Sequence, residues 1–394
     1  MRIHSIEWIV PAPLLALALC VGCAGHRPER SQAELTQWRN TRDAQYMRTS
    51  EDMVRRLVEA VKARYDKNPG NPPVVDILVI SGGGDWGAFG AGFLKGWSRV
   101  QGPMAKPEFD AVTGVSTGAL ISPFAFLGDD ESISIIDALY RNPKKDWVKS
   151  RWPLYFLPYH QSFARVPGLE RELRERVDTN LVRRIAEKSR QGRFLMVNTT
   201  DLDDGGMWVW DVGQESERAA QSGDLERVRQ ILLASSGIPG AFPFRVIDNS
   251  LYVDGAVTGN ILYGGRLREE QSVPAVWVAT YPTLPPLKVR FWVIFNNQLR
   301  PQPQVTKPTW PAVVARSIAL SSRNSTISSM RHLYSQAEIS RLKRGGTFEV
   351  RVAAVPDDFV PPKEGVFIKE TMNALADIGQ RMGADPNSWR TEQP

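Results

Sequence analysis

A serine between two glycines, directly after a short apolar run, constrains this chain more than any other feature. Residues 114–118 read GVSTG, and the run FDAVT precedes them at residues 109–113. At a strand-to-helix junction, a G-x-S-x-G sequence makes a turn so sharp that the serine hydroxyl stands exposed near the free amides of the helix N-terminus. The sequence therefore predicts a nucleophile elbow with Ser116 at its apex.

Strand and helix patterns alternate along the chain. Residues 74–80 have the pattern of a buried strand, and a glycine-rich turn and a helix of small residues over 88–97 follow them. This alternation predicts an α/β fold with a mostly parallel sheet sandwiched by helices, and a site outside the carboxyl ends of the strands. The later elements are predicted as strands over 193–199 and 207–212, a helix over 225–235, paired short strands over 245–253, a helix over 312–344, a strand over 347–355 and a helix over 368–382.

The glycine-rich turn has the sequence GGGDWG at residues 82–87. Its spacing fits the dinucleotide fingerprint G-x-G-x-x-G, but the same glycines can also direct backbone amides at the oxyanion of an acyl-transfer reaction. A tight turn without a ligand is a third interpretation. A dinucleotide site has no use for a serine elbow, whereas acyl transfer needs both a nucleophile and an oxyanion cradle, so the elbow favours a hydrolase.

The general base is not an obvious histidine. The order Ser116, Asp254, His332 matches that of α/β-hydrolase triads, but their histidine lies on a loop and His332 falls in a predicted helix. Asp254 is the better candidate, because it ends a predicted strand and is followed by Gly255, which allows another backbone to approach closely. The chain has four histidines, none in an evident catalytic setting: His4, His26, His160 and His332.

Four ordered sequence blocks resemble the signature of a known family. They lie at residues 82–87 (GGGDWG), 114–118 (GVSTG), 234–243 (ASSGIPGAFP) and 254–256 (DGA). In this order they resemble the patatin-like phospholipases, which are lipid acyl hydrolases with a Ser-Asp dyad. The resemblance covers roughly residues 74–260 and implies a patatin-like three-layer α/β/α hydrolase domain, which we assign to residues 73–394.

The resemblance also implies roles for individual residues. Ser116 would be the nucleophile, Asp254 its dyad partner, and residues Gly82, Gly83 and Gly84 the oxyanion hole. The implied reaction is hydrolysis of carboxylic esters of phospholipids, lysophospholipids or related lipids through an acyl-serine, with no metal and no organic cofactor. The chain departs from the family at Trp86, where Arg or Lys is usual, so that a positive charge beside the oxyanion loop is missing.

Two alternatives remain open at this point. The first is a catalytically weak or inactive lipid-binding envelope protein that retains the fold, which the departure at Trp86 and the N-terminal extension suggest. The second is a Ser-Asp-His esterase that uses His332.

The N-terminus has the pattern of a secretory leader. Residues 1–22 combine Arg2 with an apolar run and small residues before Cys23, and the sequence around Cys23 resembles a bacterial lipobox. We expect a lipoprotein-type signal peptide over 1–22, an acyl group on Cys23 and a helical extension over 23–72. This predicts a membrane-anchored lipoprotein of the bacterial cell envelope, on the periplasmic side of the outer membrane; a plain signal peptide is the alternative.

Composition limits the partners. The net charge of +6 and the pI of about 9.3 fit an anionic phospholipid surface, but the cations are scattered over predicted helix faces, so no nucleic-acid partner is expected.

No cysteine follows Cys23, which excludes a disulfide or thiolate metal site in the folded domain. Residues 201–206 (DLDDGG) suggest a calcium loop, but Val212 stands where an EF-hand needs its bidentate Glu, so a turn is expected. An aromatic-rich stretch at 152–163 could contact lipid or pack internally. The oligomeric state is not predicted.

Overall fold

A computed structural model describes residue 27 and residues 29–151, 161–264 and 268–394. The predicted leader, Cys23, His26 and most of the aromatic stretch, residues 152–160, lie outside the described residues. The strands are β1 (Val74–Ile80), β2 (Ala111–Val115), β3 (Lys149–Ser150), β4 (Ala164–Arg165), β5 (Phe194–Asp201), β6 (Gly206–Asp211), β7 (Arg245–Ile247), β8 (Ser250–Asp254), β9 (Lys288–Gln298) and β10 (Thr347–Val355). The helices are α1 (Gln32–Lys67), α2 (Gly87–Trp97), α3 (Thr117–Leu127), α4 (Asp130–Arg141), α5 (Pro167–Arg176), α6 (Thr179–Arg190), α7 (Val212–Ser222), α8 (Glu226–Ser235), α9 (Val273–Thr280), α10 (Trp310–Arg344) and α11 (Lys369–Ala384).

One mixed, mostly parallel sheet organises the fold. Its order is β10-β9-β1-β2-β5-β8-β7, and β6 also pairs with β5. The five strands from β10 to β5 run parallel, whereas β6, β7 and β8 are antiparallel to their neighbours. The carboxyl ends of β1 and β2 therefore lie side by side, and β5 brings β8 to the same part of the sheet. This arrangement confirms the predicted α/β class.

The central strand β1 shows why helices cover both faces of the sheet. Leu78 and Ile80 are fully buried in the core that holds α2, α3 and α11. Val75 and Val79 point to the opposite face of the sheet. Val75 packs with residues of α1 and α9, and Val79 packs with residues of α10. Because successive side chains of a strand alternate between faces, an almost wholly apolar strand must be covered twice, which gives three layers.

Helix α1 begins at a capping box and then lies against the sheet. The Ser31 side chain accepts the Glu34 amide at 3.3 Å, and the Glu34 carboxylate accepts the Ser31 amide at 2.7 Å. Val54, Leu57 and Val61 bury one face of the helix against the layer formed by β1, β5 and β9. The helical pattern predicted for this segment is confirmed, whereas the division of the chain at residues 22 and 72 stays a prediction.

Three arginines from the N-terminal segment fix it to the β5–β6 turn. Each one contacts a different aspartate of residues 201–204, the sequence that suggested a calcium loop. Cations from the chain itself therefore neutralise this turn, and the described residues contain no cluster that could hold a metal ion. The pairs are Arg27 with Asp203, Arg39 with Asp204 and Arg42 with Asp201.

The predicted elements are found with bounds that shift by a few residues. Strands β3, β4 and β9 and helices α4, α7 and α9 had not been predicted, although β9 carries a clear apolar signal, VRFWVIF. Strands β9 and β10 extend the same sheet, and α11 packs against α2. Within the described ranges, no helix has both the length and the apolarity needed to cross a membrane.

Candidate active site

Ser116 stands between the end of β2 and the start of α3, as the elbow motif predicts. Its φ of 54° and ψ of −122° are values that residues other than glycine rarely adopt. The flanking glycines allow this turn to pack tightly, because a Cβ on Gly114 would lie 2.4 Å from the Gly118 carbonyl oxygen and one on Gly118 would lie 2.3 Å from that of Ile80. The strain is therefore held by close backbone packing against β1.

The side chains of Ser116 and Asp254 are in direct contact. Ser116 Oγ donates a hydrogen bond of 2.6 Å to Asp254 Oδ2, although the residues are 138 positions apart. Asp254 ends β8, opposite Thr199 of β5, and its Oδ1 accepts the Ala256 amide at 2.8 Å. Ser116 is 5% exposed and Asp254 is 3% exposed, so water barely reaches the pair.

Burial changes the acidity of Asp254. Desolvation raises the pKa of the Asp254 carboxyl to about 6, against the lowering effect of the hydrogen bonds from Ser116 and Ala256. A carboxylate with this pKa is a stronger base than an ordinary aspartate and is still ionised at neutral pH. Burial of this carboxyl therefore gives it the basicity that a serine partner requires.

The glycine loop lies against the serine, but its three amides are not equivalent. The Gly82 amide donates to the Asn260 carbonyl at 3.3 Å, whereas those of Gly83 and Gly84 have no acceptor among the described residues. Gly82 touches the serine, since a Cβ added to it would lie 3.0 Å from Ser116 Cβ. The amide of Thr117, at the start of α3, also lacks an acceptor in the described part of the chain. Two of the three predicted donors are thus free, and Thr117 adds one that sequence analysis had not assigned.

Ser235 supports the elbow from the third sequence block. Its Oγ accepts the Ser116 amide at 2.9 Å and donates to the Asn198 carbonyl at 2.7 Å. Asn198 in turn donates from Nδ2 to the carbonyls of Gly255 and Gly259, at 3.0 and 2.8 Å. This network links the backbones of the serine and the aspartate loops. Ser235 lies in the third family block, but no local pattern indicates its role, because that role depends on a contact with a residue 119 positions away.

Residues 356–368 pack over the glycine loop. The Phe367 amide donates to Asp85 Oδ2 at 2.9 Å, and the Trp86 ring meets Phe359 edge-to-face with centroids 5.6 Å apart. Burial raises the pKa of the Asp85 carboxyl. Trp86, the departure from the family pattern, therefore packs on a neighbouring loop. The charged end of an Arg or Lys at this position would instead be solvated.

His332 lies apart from these contacts. It is exposed in the middle of α10, where Nδ1 hydrogen-bonds Tyr263 at 2.6 Å and Nε2 hydrogen-bonds Gln336 at 3.1 Å. Asp254 contacts Ser116 directly, with no imidazole between them. The geometry gives no support to the triad that uses His332.

Comparison with known protein families matches residues 78–264 to the patatin-like phospholipases. This part of the chain is a patatin-like phospholipase domain. It contains the glycine loop, the elbow, Ser235 and Asp254. Membership of this family supports lipid acyl hydrolase activity in general.

Among solved structures, VipD from Legionella pneumophila matches with a TM-score of 0.35 and 10% identity, over 81% of this chain and 68% of VipD. No curated protein matches the sequence.

Proposed function

We propose that this patatin-like protein is a serine acyl hydrolase that cleaves carboxylic esters of phospholipids, lysophospholipids or related lipids with a Ser116–Asp254 dyad. The observation that carries the proposal is the 2.6 Å hydrogen bond from Ser116 Oγ to a buried carboxylate. A serine hydroxyl is a weak nucleophile unless an adjacent base accepts its proton, and Asp254 is the base in contact with it.

The first half of the reaction forms an acyl-serine. Asp254 accepts the Ser116 proton while Oγ attacks the ester carbonyl carbon. The resulting oxyanion accepts hydrogen bonds from the free amides of Gly83, Gly84 and Thr117, in place of the set of three glycines that the family resemblance implies. One such donor contributes about 3 kcal/mol in comparable enzymes. The tetrahedral intermediate collapses, and the alcohol leaves with the proton held by Asp254.

Water completes the cycle at the same carboxylate. Asp254 takes a proton from a water molecule, whose oxygen attacks the acyl carbon, and the same amides hold the second oxyanion. The bond to Ser116 Oγ then breaks, the serine recovers its proton, and a fatty acid is released. Each step uses one carboxyl as base and then as acid, so no histidine is required.

The predicted location supplies the substrate. We propose that an acyl group on Cys23 anchors the protein at the envelope membrane, so that lipid esters are available at high local concentration.

Hydrolysis of a short-chain aryl ester tests the dyad. We expect turnover by the wild-type protein, and its loss in Ser116→Ala and Asp254→Asn, with each variant folded by circular dichroism. His332→Ala is the matched control and should keep full activity. Turnover in Ser116→Ala would contradict the proposal, whereas loss of activity in His332→Ala would favour the triad.

A fluorophosphonate probe separates a weak enzyme from an inactive one. Wild-type protein should be labelled at Ser116, and the label should be found in the peptide that contains the elbow. Folded wild-type protein that neither reacts with the probe nor hydrolyses the ester would favour the catalytically inactive lipid-binding alternative.

A further inference from the structure

The first turns of α10 carry apolar side chains that the protein does not cover. Trp310 is 72% exposed and Ile318 is 59% exposed, and Val313 and Val314 are each 48% exposed. These four residues, here called the α10 stripe, have spacings of three, four and eight from Trp310, which place them on one side of a helix. An isolated exposed apolar residue is common, but a continuous stripe indicates an interaction surface.

The α10 stripe is not a continuation of the core-facing side of the helix. Farther along α10, Thr326, Met330 and Leu333 are buried at 0–2% exposure. At about 100° per residue, the centre of the stripe lies roughly 145° around the helix from these residues. Ala315, on the core-facing side, is exposed as well. The start of α10 therefore extends beyond the body of the protein with its apolar side facing outward.

The surroundings of the stripe carry cations and almost no anions. Residues 271–337 contain no Asp or Glu. Arg300 and Lys307 precede the stripe in the sequence and Arg316 lies within it, and none of the three forms an ion pair with any described residue. One carboxylate, Asp357, does pack against the segment and accepts the Arg300 amide at 2.9 Å. The segment of the chain that carries the stripe nevertheless has a positive net charge.

The same helix contacts the active-site loop. Thr326 Oγ1 accepts a hydrogen bond of 3.0 Å from Asn260, whose carbonyl accepts the Gly82 amide. Thr326 lies 16 residues after Trp310, which is about 24 Å along the helix axis. The stripe is therefore on a helix that is linked to the glycine loop through Asn260.

We propose that the α10 stripe inserts into the interface of an anionic lipid bilayer, so that α10 docks the catalytic domain on its substrate surface. Helices that lie in a membrane interface combine an apolar side containing Trp with basic residues nearby, which is the pattern found here. The lipid class rests on the proposed function, but the docking itself depends only on the exposed stripe and its charge.

A second copy of the chain fits the stripe less well than a bilayer. A stable protein interface buries about 800 Å² on each partner and uses about 20–30 residues of each. The α10 stripe offers four side chains. A bilayer accepts a narrow apolar stripe without a matching surface, and its anionic headgroups complement the cations.

Vesicle sedimentation tests the proposal with residues 23–394, the predicted mature protein, carrying Cys23→Ser, since the apolar leader or an acyl group would bind vesicles by itself. We expect binding to vesicles of phosphatidylglycerol and phosphatidylcholine in equal parts, and weaker binding to phosphatidylcholine alone. Trp310→Ser with Ile318→Ser should lower the affinity about tenfold or more. Arg316→Ser should lower it about fivefold on the anionic vesicles only.

Matched controls make each outcome decisive. Leu202→Ser with Val246→Ser removes apolar side chains of similar exposure elsewhere and should leave binding unchanged. Unchanged binding by the stripe variant would overturn the proposal, as would a dimer in solution that this variant converts to a monomer. Vesicle binding must persist in Ser116→Ala, and the stripe variant must still hydrolyse a soluble ester. If the wild-type protein binds vesicles but hydrolyses no ester, the proposed dyad is refuted and the proposed docking surface is not.

Discussion

Ser235 holds the backbone of Ser116 in place: its Oγ accepts the Ser116 amide proton at 2.9 Å and donates to the Asn198 carbonyl at 2.7 Å. Ser235 is fully buried, so water cannot replace either bond. Besides the close packing of the flanking glycines, the strained conformation of Ser116 is therefore held by a buried hydroxyl group that links the elbow to β5.

Ser235→Ala should lower both stability and rate. Two buried polar groups lose their partner, which costs about 1–3 kcal/mol in the free energy of unfolding. We expect kcat for an aryl ester to fall more than KM rises, since the elbow and not the substrate pocket is disturbed. Ser236→Ala is the control, because that hydroxyl only adds 3.2 and 3.1 Å bonds to the Ser116 and Leu232 carbonyls. Equal effects of the two changes would contradict this role for Ser235.

The pH profile should report Asp254. Its carboxyl has a pKa raised to about 6 by burial, and only the ionised form accepts the serine proton. We expect kcat/KM to rise tenfold per pH unit up to pH about 6 and to level off above it. Stopped assays of ester hydrolysis between pH 4 and 9 measure this profile. A plateau reached already near pH 4 would mean that burial does not tune this group.

Asp254→Asn should stabilise the protein while it abolishes activity. The Asp254 pKa is higher in the folded chain than the ordinary value of 3.8, so ionisation opposes folding. Stability from this group is greatest below pH 3.8, falls as the pH rises toward 6, and is constant above that. A shift of this size corresponds to about 3 kcal/mol. Urea unfolding at pH 8 should therefore favour the Asn variant, and the difference should shrink at pH 4. A variant less stable at both pH values would contradict the prediction.

Arg42 should matter more to stability than Arg39. Arg42 pairs with Asp201, which is fully buried, donates to the Tyr252 hydroxyl at 2.8 Å and lies 3.7 Å over the Trp208 ring. Arg42→Ala leaves a buried carboxylate without its cation and should cost about 3 kcal/mol. The Arg39 side chain is about half exposed, so Arg39→Ala should cost less than about 1 kcal/mol. Chemical unfolding of the two variants makes the comparison, and equal losses would contradict it.

Trp86→Arg should exchange packing for charge. Loss of the edge contact with Phe359 should cost about 1 kcal/mol of stability. A cation beside the glycine loop should raise the hydrolysis of phosphatidylglycerol relative to phosphatidylcholine by about threefold at low salt. Trp86→Gln loses the same packing without the charge and is the control. An identical substrate ratio in both variants would show that this position does not select headgroups.

The sequence predicted local elements well and distant contacts poorly. Apolar runs and glycine turns depend on neighbouring residues, so β1, the elbow and the paired strands β7 and β8 could be predicted from periodicity and turn chemistry. The pairing of Ser116 with Asp254 came from the family resemblance, because no local pattern joins residues 138 positions apart.

The remaining features depend on the folded chain. The Gly82 amide donates its hydrogen bond to the Asn260 carbonyl, so it is not free for an oxyanion. A sequence motif cannot show this difference, because it treats the three glycines as equivalent. The charges of residues 201–204 are matched by arginines more than 150 positions earlier. The exposed start of α10 needed a structure because its periodicity alone is that of an ordinary core helix.

The contact between Arg27 and Asp203 would limit how far the domain could move from an acyl group on Cys23, if Cys23 carries one as predicted. Arg27 donates to Asp203 Oδ1 at 2.9 Å and to the Asn249 carbonyl at 2.6 Å. Only four residue steps separate Arg27 from Cys23, which is about 14 Å even when fully extended. A protein acylated at Cys23 would thus be held on a tether shorter than its own radius, and it could not turn freely above the bilayer. Its orientation toward the lipid would be set by the N-terminus before any substrate arrives.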